Sequence, residues 1–286
     1  MGSGRRTAAA PSSVAVRHRF LAAAVQLCAD SNKDANFATA ARLAQQAAER
    51  GAVLVVLPEL FSWRGGREDE RSAAEPIPGP TSVRLAALAA ELCIYLVGGS
   101  LLEAVPGETK VYNTCPVFDP HGALLATYRK VHLFDVDIPD QVTVRESATR
   151  LPGASPVTVS TELGTLGLSV CYDLRFPELY RALSAAGAEV ICAPSAFTFA
   201  TGAAHWEILL RARAIENQVY VVAANQIGRS PSGVQDFGHS LIVDPWGTPV
   251  ARATNAETAI AAEIDLDYLA RVRRELPCLE HRTFDV

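Results

Sequence analysis

From Phe20 onward the chain alternates short apolar runs with segments whose apolar positions recur at helical spacing. The pattern predicts a strand over 21–27, a helix over 34–50 and a buried strand over 53–57 that stops at Pro58-Glu59. A helix capped by Thr81 and running to Leu92 follows, then a strand over 94–98. The βα rhythm then gives way to two strands, 112–118 and 123–128, around the turn Asp119-Pro120-His121-Gly122, which reads as a hairpin. Residues 131–155 show no period and hold Pro139, Pro152 and Gly153, so a long functional loop is expected there. Strands over 157–160, 166–170, 190–193 and 219–224 resume, with helices over 178–186 and 205–218. A second hairpin turns at Asp244-Pro245-Trp246-Gly247 between strands 240–243 and 249–253. A strand over 259–264 and a helix over 266–274 close the pattern. No repeat or linker interrupts 20–276, so one domain, 20–286, is expected. Hairpins mixed with βα units imply mixed sheets, and nearly continuous apolar strands suit two sheets packed face to face with helices outside.

Three of these strands run into one reactive group each: 53–57 into Glu59, 123–128 into Lys130 and 166–170 into Cys171. A thiol that attacks a carbonyl needs a base to take its proton and a positive group to stabilise the oxyanion, and Glu and Lys can fill those roles. Cys171 also precedes a predicted helix, whose dipole is expected to favour thiolate and whose first N–H groups are free for an oxyanion. Each residue alone has a plainer reading as a buried thiol, a capping carboxylate or a surface charge; only the combination has force. His132, His205 and His239 stand in no protease or metal-ligand spacing and read as structural hydrogen-bonding residues.

Composition narrows the classes. With 49% hydrophobic and 20% charged residues the chain has ample core material, and a net charge of −5 offers no footprint for nucleic acid. The six cysteines form no CxxC pair, which fits a reducing compartment, the cytoplasm. No run approaches membrane-spanning length. No nucleotide or metal motif is present, so neither cofactor nor metal is indicated. Residues 1–19 carry four arginines and no acid; they read as a tail, a tag remnant or a mitochondrial transit segment, outside the fold.

Leu57-Pro58-Glu59, Tyr128-Arg129-Lys130-Val131-His132-Leu133 and Cys171-Tyr172-Asp173-Leu174-Arg175-Phe176-Pro177-Glu178 together resemble the three motifs of the nitrilase (carbon-nitrogen hydrolase) superfamily. The resemblance implies a four-layer α-β-β-α sandwich, usually paired into a homodimer. It implies Glu59 as general base, Lys130 as oxyanion stabiliser and Cys171 as the nucleophile that forms a thioester. It also implies Glu146, in Val144-Arg145-Glu146-Ser147, as the glutamate that positions the lysine. Thr201-Gly202-Ala203-Ala204-His205-Trp206-Glu207 and Val243-Asp244-Pro245-Trp246-Gly247 look like the branch of deaminated glutathione amidase and omega-amidase. The substrate implied is a small carboxylate-bearing amide: deaminated glutathione first, 2-oxoglutaramate as the alternative. Arg175 and Tyr172 are the substrate-binding candidates, with an ion pair from Arg175 to Asp173 or Glu178 as the competing reading. The segment 62–75, with Trp63-Arg64-Gly65-Gly66, matches neither kind of enzyme well. A reading from another class is a nitrilase-fold interaction protein without catalysis, against which the intact set of three argues.

Overall fold

The computed structural model describes residues 16–139 and 142–284. Residues 1–15 of the basic tail lie outside the described residues, and the first strand already begins at Arg19, whose guanidinium meets Asp265 at 2.9 Å.

Two mixed sheets carry the fold. In the first the order is Thr258–Asp265, Arg19–Gln26, Ala52–Val56, Tyr95–Val97, Val111–Phe118 and Leu101–Glu103, and Leu124–Arg129 and Arg150–Leu151 also pair with Val111–Phe118. In the second the order is Val157–Thr161, Gly164–Leu168, Val190–Cys192, Tyr220–Ala223, Leu241–Val243 and Pro249–Arg252. Neighbouring residues of a strand point to opposite faces, and the first sheet uses both. Ala22, Ala24, Leu54, Val56 and Val117 face Leu166, Leu168, Val190 and Val222 of the second sheet. Ala23, Val25, Val55 and Leu96 instead meet Leu43, Ala44, Ala47, Leu85 and Leu88 of the helices Lys33–Glu49 and Pro80–Leu92. Burial on both faces explains why these strands read as unbroken apolar runs. On the far side, the helices Pro177–Ala185 and Phe199–Asn217 cover the second sheet with Leu179, Leu183, Trp206 and Leu210. The result is the expected α-β-β-α sandwich. Burying a core side chain such as Leu168 contributes about 1.5–3 kcal/mol.

Local chemistry sets the helix ends. The Asn32 side chain accepts from the Ala35 N–H at 3.1 Å at the start of the first helix. The second begins at Pro80, not at a Thr81 cap: proline suits the first helical position, and Ser82 Oγ accepts from the Gly79 N–H at 2.7 Å. The Thr81 N–H is taken by Glu75 Oε2 at 2.7 Å.

Residues 131–155 are not the structureless loop that the missing period suggests. Asp135–Ile138 pairs antiparallel with Val142–Arg145, a turn of 3-10 helix spans Glu146–Ala148, and Arg150–Leu151 adds to the first sheet. The hairpin alternates exposed Asp135, Asp137, Thr143 and Arg145 with half-buried Val136, Ile138 and Val142 and buried Val144, but at four residues a strand this period of two is too short to stand out from the polar residues around it. The short strand Leu101–Glu103 and the hairpin of Ile227–Arg229 with Gln235–Phe237 escape the pattern for the same reason of length.

Candidate active site

Glu59, Lys130, Cys171 and Glu146 come from four separate segments and share one cavity of about 590 Å³. Each follows from local structure. Glu59 stands three residues past the Ala52–Val56 strand, where the next residue, Leu60, has φ +51° and Gly99 has φ +60°. A Cβ on Gly99 would collide with the Pro58 carbonyl, so glycine there lets two backbones meet behind the glutamate. Lys130 is the residue after the Leu124–Arg129 strand, and its N–H donates to the Asn113 carbonyl at 2.9 Å.

Cys171 sits at φ +50°, a left-handed conformation that a non-glycine residue adopts only when its surroundings impose it. Its N–H donates to the Pro194 carbonyl at 2.9 Å. Beneath it Asp173, fully buried, accepts from the Tyr128 hydroxyl at 2.7 Å, the Val170 N–H at 2.9 Å, the His132 N–H at 3.0 Å and His132 Nδ1 at 2.7 Å. That network ties the elbow to the strand that delivers Lys130.

The charges form an alternating array. Lys130 Nζ donates to Glu59 Oε1 at 2.9 Å and to Glu146 Oε2 at 3.0 Å. Glu146 Oε1 accepts from Arg150 Nη1 at 2.6 Å, and Arg150 reaches on to Glu70 through Nη2 at 2.6 Å and Nε at 3.2 Å. Glu59 also accepts from Asn113 Nδ2 at 2.7 Å on Oε1 and from the Ala196 N–H at 2.9 Å on Oε2. The three acids and two bases are buried, so each charge persists only because its partners replace water. Burial works against the Lys130 ammonium, but Glu146 and Glu59 outweigh it and hold its pKa above the usual lysine range. Burial likewise works against the Glu146 carboxylate, and Lys130 and Arg150 overcome it and pull its pKa from 4.5 to about 2.

The thiol differs from expectation. The helix proper starts at Pro177, and Cys171–Arg175 is a single turn of 3-10 helix, so no macrodipole of useful length points at Cys171. Burial, and next the Glu59 carboxylate within hydrogen-bonding reach, push the Cys171 thiol well above its ordinary pKa, against the pull of Lys130. Burial and the Glu59 charge both favour the neutral form of the thiol.

Arg175 makes neither expected ion pair. Asp173 is taken by His132 and Tyr128, and Glu178 lies exposed on the next helix. The guanidinium lies instead over the Phe197 ring at 5.1 Å and the Tyr172 ring at 5.9 Å, and contacts His205 Nδ1 at 3.3 Å. Arg175 and Tyr172 line a narrow extension that also touches Cys171, Phe134 and Ala196, with room for about 10 Å³. His239 Nδ1 meets the Ala253 carbonyl at 3.2 Å. Sequence reasoning misses Asn113, Arg150, Glu70 and Asp173. Among the described residues no group of three or more His, Cys, Asp or Glu is arranged to hold a metal ion, and no helix is long and apolar enough to cross a membrane.

The carbon-nitrogen hydrolase profile matches residues 21–274. The chain belongs to the carbon-nitrogen hydrolase family. Among curated members of this family, omega-amidase NIT2 of Xenopus tropicalis is 42% identical over 268 residues, covering 94% of this chain and 96% of that protein. Deaminated glutathione amidase of Bos taurus is 45% identical over 271 residues, covering 93% and 83% respectively. Among solved structures, Nit3 of Saccharomyces cerevisiae, a member of branch 10 of the nitrilase superfamily, superposes with a TM-score of 0.85 at 37% identity, covering 94% of this chain and 98% of that one. The NitFhit protein of C. elegans superposes with a TM-score of 0.88 at 39% identity, covering 94% of this chain and 66% of that one. This carbon-nitrogen hydrolase is accordingly an amidase.

Proposed function

We propose that the protein is a cysteine amidase that hydrolyses a linear amide of a small carboxylic acid through a thioester, with deaminated glutathione as its substrate. The observation that carries the mechanism is the contact set around Glu59: one carboxylate faces both the Cys171 thiol and the Lys130 ammonium inside one cavity. Glu59 takes the thiol proton as sulfur attacks the amide carbon, and Lys130 stabilises the oxyanion that forms. Glu59 returns the proton to the departing amine, leaving the thioester. It then deprotonates the water that cleaves the thioester and frees the acid. Glu146 keeps Lys130 charged and aimed, itself held by Arg150.

Size supports the larger substrate. The cavity of about 590 Å³ adjoins an open depression of about 770 Å³ that shares Trp63, Gly65, Gly66 and Pro231 with it, room for a peptide leaving group where 2-oxoglutaramate releases only ammonia. The second reading, an omega-amidase acting on 2-oxoglutaramate, is supported equally by similarity to that kind of enzyme. We take residues 20–286 as one catalytic unit. We also take the enzyme as a homodimer in a reducing compartment such as the cytoplasm, consistent with six unpaired cysteines.

The test is 2-oxoglutarate release from both amides side by side, with Cys171→Ala as blank. A preference above ten-fold in kcat/KM, about 1.4 kcal/mol, assigns the substrate. Turnover by Cys171→Ala at the parent rate sinks the mechanism.

A further inference from the structure

The cavity wall contributed by residues 62–75 carries a cation that no carboxylate holds at hydrogen-bonding distance. Of the arginines and lysine that line the cavity, Lys130 is bonded to two carboxylates, Arg150 to two, and Arg64 to Asp236 through both terminal nitrogens. Arg67 differs. Its Nη1 is shielded from solvent and has no hydrogen-bond partner among the described residues. The one carboxylate near it, Glu70, lies at 3.9 Å, beyond hydrogen-bonding distance. Glu70 is already engaged: Oε1 by Arg150 Nη2 at 2.6 Å, and Oε2 by Arg150 Nε at 3.2 Å and the Thr149 hydroxyl at 2.6 Å. The Arg67 side chain lines the cavity and is 37% exposed, so its remaining donors are open to a ligand although Nη1 itself is covered, and a planar carboxylate is the group whose two oxygens fit a guanidinium fork. The earlier candidate, Arg175, is turned onto two aromatic rings beside a pocket too small for an acid chain.

We infer that Arg67 is the residue that binds a carboxylate of the substrate and so selects acidic amides over neutral ones. This rests on the amidase reading above and deepens it. The carboxylate can belong to the acyl part, as in 2-oxoglutaramate, or to the leaving dipeptide of deaminated glutathione.

The experiment compares the parent enzyme, Arg67→Met and Arg67→Lys on deaminated glutathione, 2-oxoglutaramate and the neutral pentanamide, with thermal melts alongside. Arg67→Met is expected to raise KM for the acidic amides 10- to 100-fold with kcat within three-fold, to leave pentanamide unchanged, and to be rescued in part by Arg67→Lys. A KM effect on both acidic amides assigns the acyl carboxylate; an effect on deaminated glutathione alone assigns that of the leaving group. An equal loss on pentanamide, or no change on either acid, overturns the inference. If the parent hydrolyses none of the three, the proposed function fails separately. Protection of Cys171 from iodoacetamide by 2-oxoglutarate then decides: ten-fold weaker protection in Arg67→Met supports the assignment, and equal protection refutes it.

Discussion

Replacing Glu59 by glutamine separates thiol ionisation from turnover, because the carboxylate that is to accept the Cys171 proton is also one of the groups that suppresses thiolate. Glu59 only accepts: from Asn113 Nδ2 at 2.7 Å and Lys130 Nζ at 2.9 Å on one oxygen, and from the Ala196 N–H at 2.9 Å on the other. A glutamine has one oxygen. Whichever way its amide is turned, its NH₂ faces a donor, a mismatch that costs about 1–3 kcal/mol in a buried site. Lys130 stays charged through Glu146 at 3.0 Å. Of the influences on the thiol, burial remains and still raises its pKa, the raising effect of the Glu59 charge disappears, and the lowering effects of Lys130 and the Ala196 N–H are opposed by burial alone.

The thiol titration therefore moves down in Glu59→Gln. A ten-fold rise in thiolate at a fixed pH corresponds to about 1.4 kcal/mol. Alkylation of Cys171 by iodoacetamide at pH 7.5 is expected to be about ten-fold faster or more than in the parent. Amide hydrolysis is expected to fall by about 100- to 10,000-fold, the usual contribution of a general base. The assay is alkylation rate against pH, read peptide by peptide by mass spectrometry so that the exposed Cys28, Cys93 and Cys278 do not mask the buried site. An unchanged or higher titration midpoint, or hydrolysis within three-fold of the parent, refutes the assignment of Glu59 as proton acceptor.

Acid should unfold the protein through Glu146 among others. Its folded pKa is depressed from 4.5 to about 2, so its contribution to stability is complete above its ordinary 4.5 and drains away as pH falls toward about 2. Urea midpoints across that window should fall less steeply in Glu146→Gln than in the parent, and parallel slopes would contradict the pairing. The homodimer is expected to use the outer face of the Phe199–Asn217 helix, where Ile208 is 68% exposed and Ile215 48%, with Trp246 of the neighbouring turn at 59%. Sedimentation at low micromolar concentration should show a dimer that Ile208→Glu dissociates; a monomeric parent refutes it.

Legibility in the sequence follows burial and range. The strands that lead into Glu59 and Cys171 are buried, so their apolar runs and the polar residues that end them stand out in one dimension, whereas the strand before Lys130 is largely exposed and shows itself through its β-prone residues and the turn before it. The hairpin Asp135–Ile138 with Val142–Arg145 is half exposed and leaves no such trace, although it leads directly into Glu146. Asn113 does leave one: with Thr114 it interrupts the strand Val111–Phe118 with polar side chains that are buried, and such groups must have partners. Arg150 and Glu70 leave none, since they meet across 80 residues of chain and each looks like an ordinary surface charge until the fold closes over it.

The thiol is the instructive case, because the contrary signal was present. Pro177 six residues past Cys171 marks the first helical position, and a residue just before proline is biased to extended backbone, as Phe176 is at ψ 94°. Cys171 therefore precedes the helix by too many residues for its dipole to act, a field that fades within the first turn. What remains within reach of the sulfur is Glu59, Lys130 and the Ala196 N–H. With the dipole gone, the mechanism proposed above requires Glu59 to remove the proton during attack rather than find it already lost. In the same proposal Lys130, bonded to Glu59 and Glu146, which together hold its pKa above the usual lysine range, supplies the charge for the oxyanion.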